Sequence, residues 1–452
     1  MKKKVLTIVA LLVALTGYVE AEIKVPAKYR CSGEATIRAL LDQHFNDGKF
    51  EYAVVRLNGS DLLSRLRDKR SLAFPLVTPH GRIRPLVSKG KAFVMRDPEM
   101  TQGTVYNSAT ETQNISLGSE MSYKFGCSSK LVDSDASWHC GEITFLANDG
   151  SQFEGVFASK ELGITVVESA ESLILNMRRE SVNLPDQCAV VYNTRSMPFF
   201  NIDGDFGETS QTTVKPKSIK TLAIRDRTYK IHLDGTSEFL AVNEDNWWLR
   251  MESIIGGVNF AYALLEPATG RKFKITLRPA TLSVWNNGFG PTETDKDLLI
   301  GYINDPSYRQ SVGQRDNELF YFFVGYDLDG GVGGIAGSIC NDSAYDGFGD
   351  DVAFQHTRAL GQQIPDADGL YQFGTYWGRM VVATHELGHL LGGRHEHGSK
   401  NQCAGGNLPN LCGTTVMMSA AAGGVDPDAR RNFFSRRNDN NIVACIRHAD
   451  DL

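Results

Sequence analysis

The chain has 452 residues, 42% of them apolar, and a formal net charge of −6. That supplies material for real cores in two or three domains, and the charge is too mild to select nucleic acid or an acidic membrane as a partner. Eight cysteines, four in each half, fit an exported chain closed by disulfides rather than a reduced one.

Met1-Lys2-Lys3-Lys4 is basic, and the apolar run from Val5 to Leu15 is too short to span a bilayer comfortably. Residues 1–21 therefore read as a signal peptide, and the product as secreted, with no stable membrane anchor. Residues 22–195 read as an α+β unit, a propeptide or accessory domain. Ala35 to Phe45 has helical spacing, and Leu62 to Leu66 suggests a second helix. Short strands follow at Lys91–Met95, Gly141–Phe145 and Gly163–Val167, separated by Gly, Ser and Asp turns. Cys127 and Cys140 flank a polar loop between strands, where a local hairpin disulfide fits. No catalytic constellation is visible in this half.

Residues 196–217, carrying Gly, Thr, Ser and Pro, read as a linker. Asn201-Ile202-Asp203-Gly204-Asp205 begins like a calcium loop but lacks its later positions, so it reads as a plain turn. From 218 to 452 the pattern is again ordered. Thr221–Ile224 reads as a strand. Asn246–Leu265 reads as an amphipathic helix burying Trp247, Trp248, Met251, Ile254 and Ile255. Ile275–Trp285 is a strand, Lys296–Tyr308 a helix and Leu319–Val324 a buried strand. Gly330–Cys340 is a glycine-rich strand, suited to close approach of another backbone. Its spacing departs from a dinucleotide-binding loop, and no crossover helix follows. Tyr376–Leu391 is a helix, and Ser435 can cap a closing helix that runs toward Cys445.

The Tyr376–Leu391 helix carries the most specific string in the chain: His385-Glu386-Leu387-Gly388-His389, continuing Leu390-Leu391-Gly392-Gly393-Arg394-His395. Two His four residues apart lie about 40° apart around a helix, one turn above each other, so both imidazoles can address one ion. Glu386 projects toward the same open side, where it can take a proton from a water on that ion. Gly392 can end the helix in a left-handed conformation, letting the chain turn back and offer His395 as third ligand. Three neutral nitrogens with a fourth position open suit catalytic zinc. Thiolates would suggest a closed structural site, and carboxylates alone magnesium or calcium. His397 is also close, but its spacing to Gly392 fits less well than that of His395.

With this string, the glycine strand and the cysteine positions, residues from about 218 to 447 resemble the adamalysin (reprolysin) branch of the metzincin proteases. Thr221–Asp226 resembles the family's first strand and Val284–Asn287 the end of its second. Gly334-Ile335-Ala336-Gly337 and on to Cys340 resemble the edge strand that binds extended substrate by strand addition. Phe434-Ser435 and Val443–Ile446 resemble the C-terminal helix and tail. The resemblance implies Cys340–Cys445 and Cys403–Cys412 bridges. It implies a turn carrying Met beneath the zinc ligands, matched by Thr414–Ser419, with either Met417 or Met418 as its methionine. Glu396 departs from the Asp that adamalysins carry after the third His. Cys188 loosely resembles the propeptide cysteine that ligates zinc as a switch; the alternative is a disulfide with Cys31.

The combined expectation is a mixed α/β prodomain followed by a metzincin catalytic domain. That domain would be a twisted mixed sheet with an active-site helix and a C-terminal helix. The activity would be that of a secreted zinc metalloendopeptidase made as a zymogen, monomeric, acting on protein or peptide substrates through one Zn2+ ion. Structural Ca2+ is compatible with the family, without ligands assignable here. The rival is a catalytically silent metzincin-fold binding protein or adhesin, against which the intact Glu386 and three His argue.

Overall fold

A computed structural model describes residues 23–45, 51–78, 80–108, 110–118, 121–126, 139–159, 163–178, 182, 184, 187–194, 200–201, 226–263, 274–286, 292, 294–305, 307–308, 318–329, 333–336, 358–363, 374–393, 420–421 and 442–443. Among them, no helix is long and apolar enough to cross a membrane.

The N-terminal half begins with helix α1 (Glu34–Leu41), strand β1 (Tyr52–Arg56) and helix α2 (Gly59–Arg67). The Asn58 side chain caps α2 by accepting from Asp61 N–H at 2.8 Å. Strands β2 (Ser71–Val77), β3 (Ile83–Phe93), β4 (Gln102–Tyr106), β5 (Thr112–Ser116), β6 (Ser122–Gly126), β7 (His139–Phe145), β8 (Phe153–Ser159) and β9 (Gly163–Ser169) follow. Helix α3 (Ala170–Arg178) and strand β10 (Cys188–Asn193) complete this half, and a short β11 (Phe200–Asn201) follows it. Eight of these strands form one antiparallel sheet in the order β1-β10-β9-β8-β7-β6-β3-β2. Strand β3 is longer than the Lys91–Met95 expected, because its first residues pair with β2 and only its last with β6.

The C-terminal half opens with β12 (Arg227–Gly235), helix α4 (Ser237–Asn243), helix α5 (Trp247–Tyr262) and β13 (Ile275–Trp285). Helix α6 (Lys296–Asn304), β14 (Leu319–Val324), β15 (Gly334–Ala336), β16 (Arg358–Gln362), helix α7 (Tyr376–Leu390) and β17 (Ala420–Ala421) follow. A mixed sheet runs in the order β15-β16-β14-β12-β13-β4-β5. The pairs β12–β13, β12–β14 and β14–β16 are parallel, and β15 is the antiparallel edge strand.

Two strands of this second sheet come from the N-terminal half. The β4–β5 hairpin joins β13 in parallel, with Thr104, Val105 and Tyr106 opposite Ser283, Val284 and Trp285. Asn286 N–H continues the ladder to the Tyr106 carbonyl at 2.9 Å. The two halves therefore share one sheet.

Helix α5 differs from the amphipathic helix that its spacing predicts: every one of its residues is buried. It lies between β13 of one sheet and β7 and β8 of the other, so it has no solvent face. Its polar residues are taken up by partners from the N-terminal half. Arg96 Nη1 donates to Glu252 at 2.9 Å, Arg250 pairs with Glu154, and Arg250 Nη2 donates to Ser172 at 2.9 Å. Asn259 instead bridges α5 to β13, accepting from Leu277 N–H at 2.6 Å and donating to its carbonyl at 2.8 Å. Glu142 on β7 is fully buried against this helix, and burial pushes its carboxyl up to about 7, against the pull of Lys124 and Lys274.

Side chains alternate cleanly across β14. Leu319, Tyr321 and Phe323 join the main core beneath α7, while Phe320, Phe322 and Val324 join a second core with Trp285, Leu299, Ile303 and Tyr308 on the opposite face. The expected strand Thr221–Ile224, the Cys127–Cys140 pairing and the closing helix near Ser435 lie outside what the structure describes.

Candidate active site

Helix α7 carries two of the three expected ligands and the expected base. Its start is fixed by Thr375, whose hydroxyl accepts from Gly378 N–H at 3.0 Å. Two further N–H groups of the first turn find acceptors in the other half of the chain. Tyr376 N–H donates to Glu168 at 2.9 Å, and Trp377 N–H donates to the Tyr192 hydroxyl at 3.4 Å. Its end follows the sequence reading. Gly392 sits at φ 88°, its N–H reaches the His389 carbonyl, and Gly393 N–H reaches the Gly388 carbonyl at 2.7 Å.

His385 and His389 face the same side, and their Nε2 atoms are 2.9 Å apart. Two nitrogens at zinc distances in tetrahedral geometry are about 3.3 Å apart, so this pair needs only a small adjustment to share one ion. The Nδ1 of His389 lies 3.0 Å from the Gly393 carbonyl. That contact requires N–H at Nδ1 and leaves the Nε2 lone pair for a metal. The helix-ending glycines thus also set the tautomer of a ligand. The donor chemistry and convergence fit a zinc ion, with His385 and His389 as two of its holders.

Glu386 is buried and lies against edge strand β15. A Cβ at Gly334 would stand 2.8 Å from its Oε1 and 2.9 Å from its Cγ. Gly334, Ile335 and Ala336 pair with Gly361, Leu360 and Ala359, and β15 ends the sheet order. Among the described residues no strand pairs with the outer side of β15. Gly337, His395, Met417, Met418, Cys340, Cys445, Cys403 and Cys412 lie outside the described residues. Strand β17 starts two residues after Met418 and pairs with β11, Ala421 opposite Phe200 and Ala420 opposite Asn201.

Of the two fates open to Cys188, zinc-ligating switch or disulfide with Cys31, the structure has the disulfide. Cys188 is bonded to Cys31, with Cα atoms 6.0 Å apart, and both residues are buried. A sulfur in a disulfide has no thiolate to offer a metal. The bridge ties the start of the N-terminal half to β10, next to β1, across 157 positions of sequence. Replacing both cysteines by serine is expected to lower unfolding free energy by about 2–5 kcal/mol, because so long a loop is closed. It should leave the activity of the uncut chain where it was. Urea unfolding and a peptide-cleavage assay check the two parts, and a rise in basal cleavage would restore the switch.

Arg379, Arg250, Glu154 and Glu168 form a buried cluster that sequence reading passed over. Arg379 Nη2 donates to Glu154 Oε2 at 2.7 Å and lies 3.7 Å from Glu168; Arg250 pairs with the same Glu154 oxygen. The available signal was charge inside two apolar helical runs: Arg250 and Glu252 in Trp247–Ile255, and Arg379 in Tyr376–Ala383.

Residues 225–434 match the family model Reprolysin_5, described as metallo-peptidase family M12. No curated protein matches the chain. Among solved structures, the chain is similar to metalloproteinase-II from Bacteroides fragilis at 13% identity and a TM-score of 0.44. That match covers 86% of this chain and 96% of that one.

Proposed function

We propose that this chain, whose second half is that of a reprolysin-like M12 metallopeptidase, is a secreted zinc endopeptidase held latent by its own N-terminal half. The observation that carries the reading is the approach of His385 and His389 Nε2 to 2.9 Å, on a helix whose Glu386 carboxyl lies against β15, the last strand of its sheet among the described residues. His385, His389 and His395 hold the ion. Zinc, when bound, supplies a Lewis acid that polarises the scissile carbonyl and makes water a nucleophile near neutral pH.

The chain's own residues do the rest. Strand β15 aligns the substrate backbone by strand addition and brings a peptide bond to the Glu386 side of the helix. The Glu386 carboxylate accepts a proton from the attacking water and returns it to the departing amine nitrogen. The Gly393 carbonyl keeps His389 in the ligating tautomer. The nucleophile is water, so no covalent acyl-enzyme forms. Methionine 417 or 418 floors the site.

Latency is supported by the β11–β17 pairing, which lays the segment after the N-terminal half beside the stretch that follows Met418. Residues 1–21 direct export, and removal of the N-terminal half's restraint by proteolysis activates the enzyme. The test is hydrolysis of casein by the processed protein, with and without a zinc chelator. Loss on chelation, return on adding zinc and one zinc per chain by metal analysis are expected. Full hydrolysis by metal-free protein would overturn the assignment.

A further inference from the structure

We propose that Tyr321 is a positioning residue for Glu386, its buried hydroxyl standing beside the carboxyl group and steering its direction toward the substrate edge. This rests on the reading of Glu386 as the base. Gly334 and Gly361 stand opposite each other on adjacent antiparallel strands, so the space where their side chains would be lies on one face of the sheet. Two polar groups fill that bare backbone patch. A Cβ on Gly334 would meet Glu386 Oε1 at 2.8 Å, and one on Gly361 would meet the Tyr321 hydroxyl at 2.1 Å. The Gly361 position also touches Val382 at 2.6 Å, one helical turn before Glu386 on the same face of α7. The phenol and the carboxyl are thus neighbours over one pair of glycines.

Tyr321 stands in the run Leu319-Phe320-Tyr321-Phe322-Phe323-Val324, where it is the only residue with a polar side chain. A Phe would fill the same volume without burying a hydroxyl, which is costly in a site that offers it no partner. Tyr262, the other phenol behind the motif, is committed to the Thr384 carbonyl at 3.3 Å. The Tyr321 hydroxyl makes no hydrogen bond of ordinary length among the described residues, and the Glu386 carboxyl and the Gln363 side chain are the polar groups that act on it most. Burial first, and the Glu386 charge next, hold its phenol well above the usual range, which agrees with their closeness.

The test is Tyr321→Phe in the processed protein beside wild type and Glu386→Gln. The expected result is a kcat lower by about 10- to 100-fold with KM, zinc content and melting temperature unchanged. A kcat within twofold of wild type, or one that falls only together with zinc content or melting temperature, would overturn the proposal. A second readout needs no turnover. In metal-free protein carrying ring-labelled tyrosine, the NMR signal lost in Tyr321→Phe should shift in Glu386→Gln, and an unmoved signal also overturns it. If wild type itself does not hydrolyse, or Glu386→Gln still does, the base assignment fails first, and the two failures are told apart.

Discussion

Glu386→Gln is expected to lower kcat for peptide hydrolysis by roughly 100- to 10,000-fold, the range for losing a general base. Zinc stoichiometry should stay at one per chain, because both described ligands and the Gly393 contact that sets the His389 tautomer are untouched. Stability should hold or rise. The amide has the same shape as the carboxyl against Gly334, and it removes a charge from a fully buried position. Glu386→Asp separates charge from placement. It keeps a carboxylate but draws it back from β15 by one methylene, so its remaining deficit measures position alone. Steady-state kinetics on a quenched peptide, with metal analysis of each variant, reads both. A Gln variant within tenfold of wild type would remove Glu386 from the mechanism.

What the sequence could and could not reveal follows from where each partner sits along the chain. Helix α7 was legible because its causes are local: Thr375 at its start, apolar spacing through its body and Gly392 at its end. Strand β14 was legible as an unbroken apolar run buried on both faces. Helix α5 was misread as one-sided because sequence shows a residue's polarity and not its partner. Arg250 and Glu252 look solvent-facing until Glu154 and Arg96 are brought to them from about 100 positions or more away. The β4–β5 hairpin escaped for the same reason, since nothing local marks pairing with β13. Cys188 had two chemically sound fates, and only the fold of the N-terminal half brings Cys31 to it. At the site, His385, Glu386 and His389 were readable from spacing alone. Tyr321 was not, because its importance rests on two glycines in other strands.

Arg379→Met is expected to cost about 3–5 kcal/mol of unfolding free energy, the range for removing one partner of a buried ion pair. Domains have about 5–15 kcal/mol in total, so this approaches the whole margin. The guanidinium is 1% exposed, donates to Glu154 and to the Gly374 carbonyl, each at 2.7 Å, and lies 3.7 Å from Glu168. Methionine fills much of the volume but leaves Arg250 as the one cation of the cluster, bonded to Glu154, and Glu168 without its ion-pair partner. Burial already pushes the Glu168 carboxyl up to about 7, with the Arg379 charge holding it down, so losing that charge raises it further and favours the neutral acid. Glu168 must also accept the Tyr376 N–H and the Tyr192 hydroxyl, so its neutralisation weakens the cap at the start of the active-site helix. The loss should therefore appear twice, as a lower urea midpoint and as faster amide exchange at Tyr376 and Trp377. It should be nearly insensitive to salt, because so buried a cluster is little screened. A loss below about 1 kcal/mol would mean that the two halves are held together by the shared sheet and apolar packing, with the ion cluster contributing no more than a surface pair.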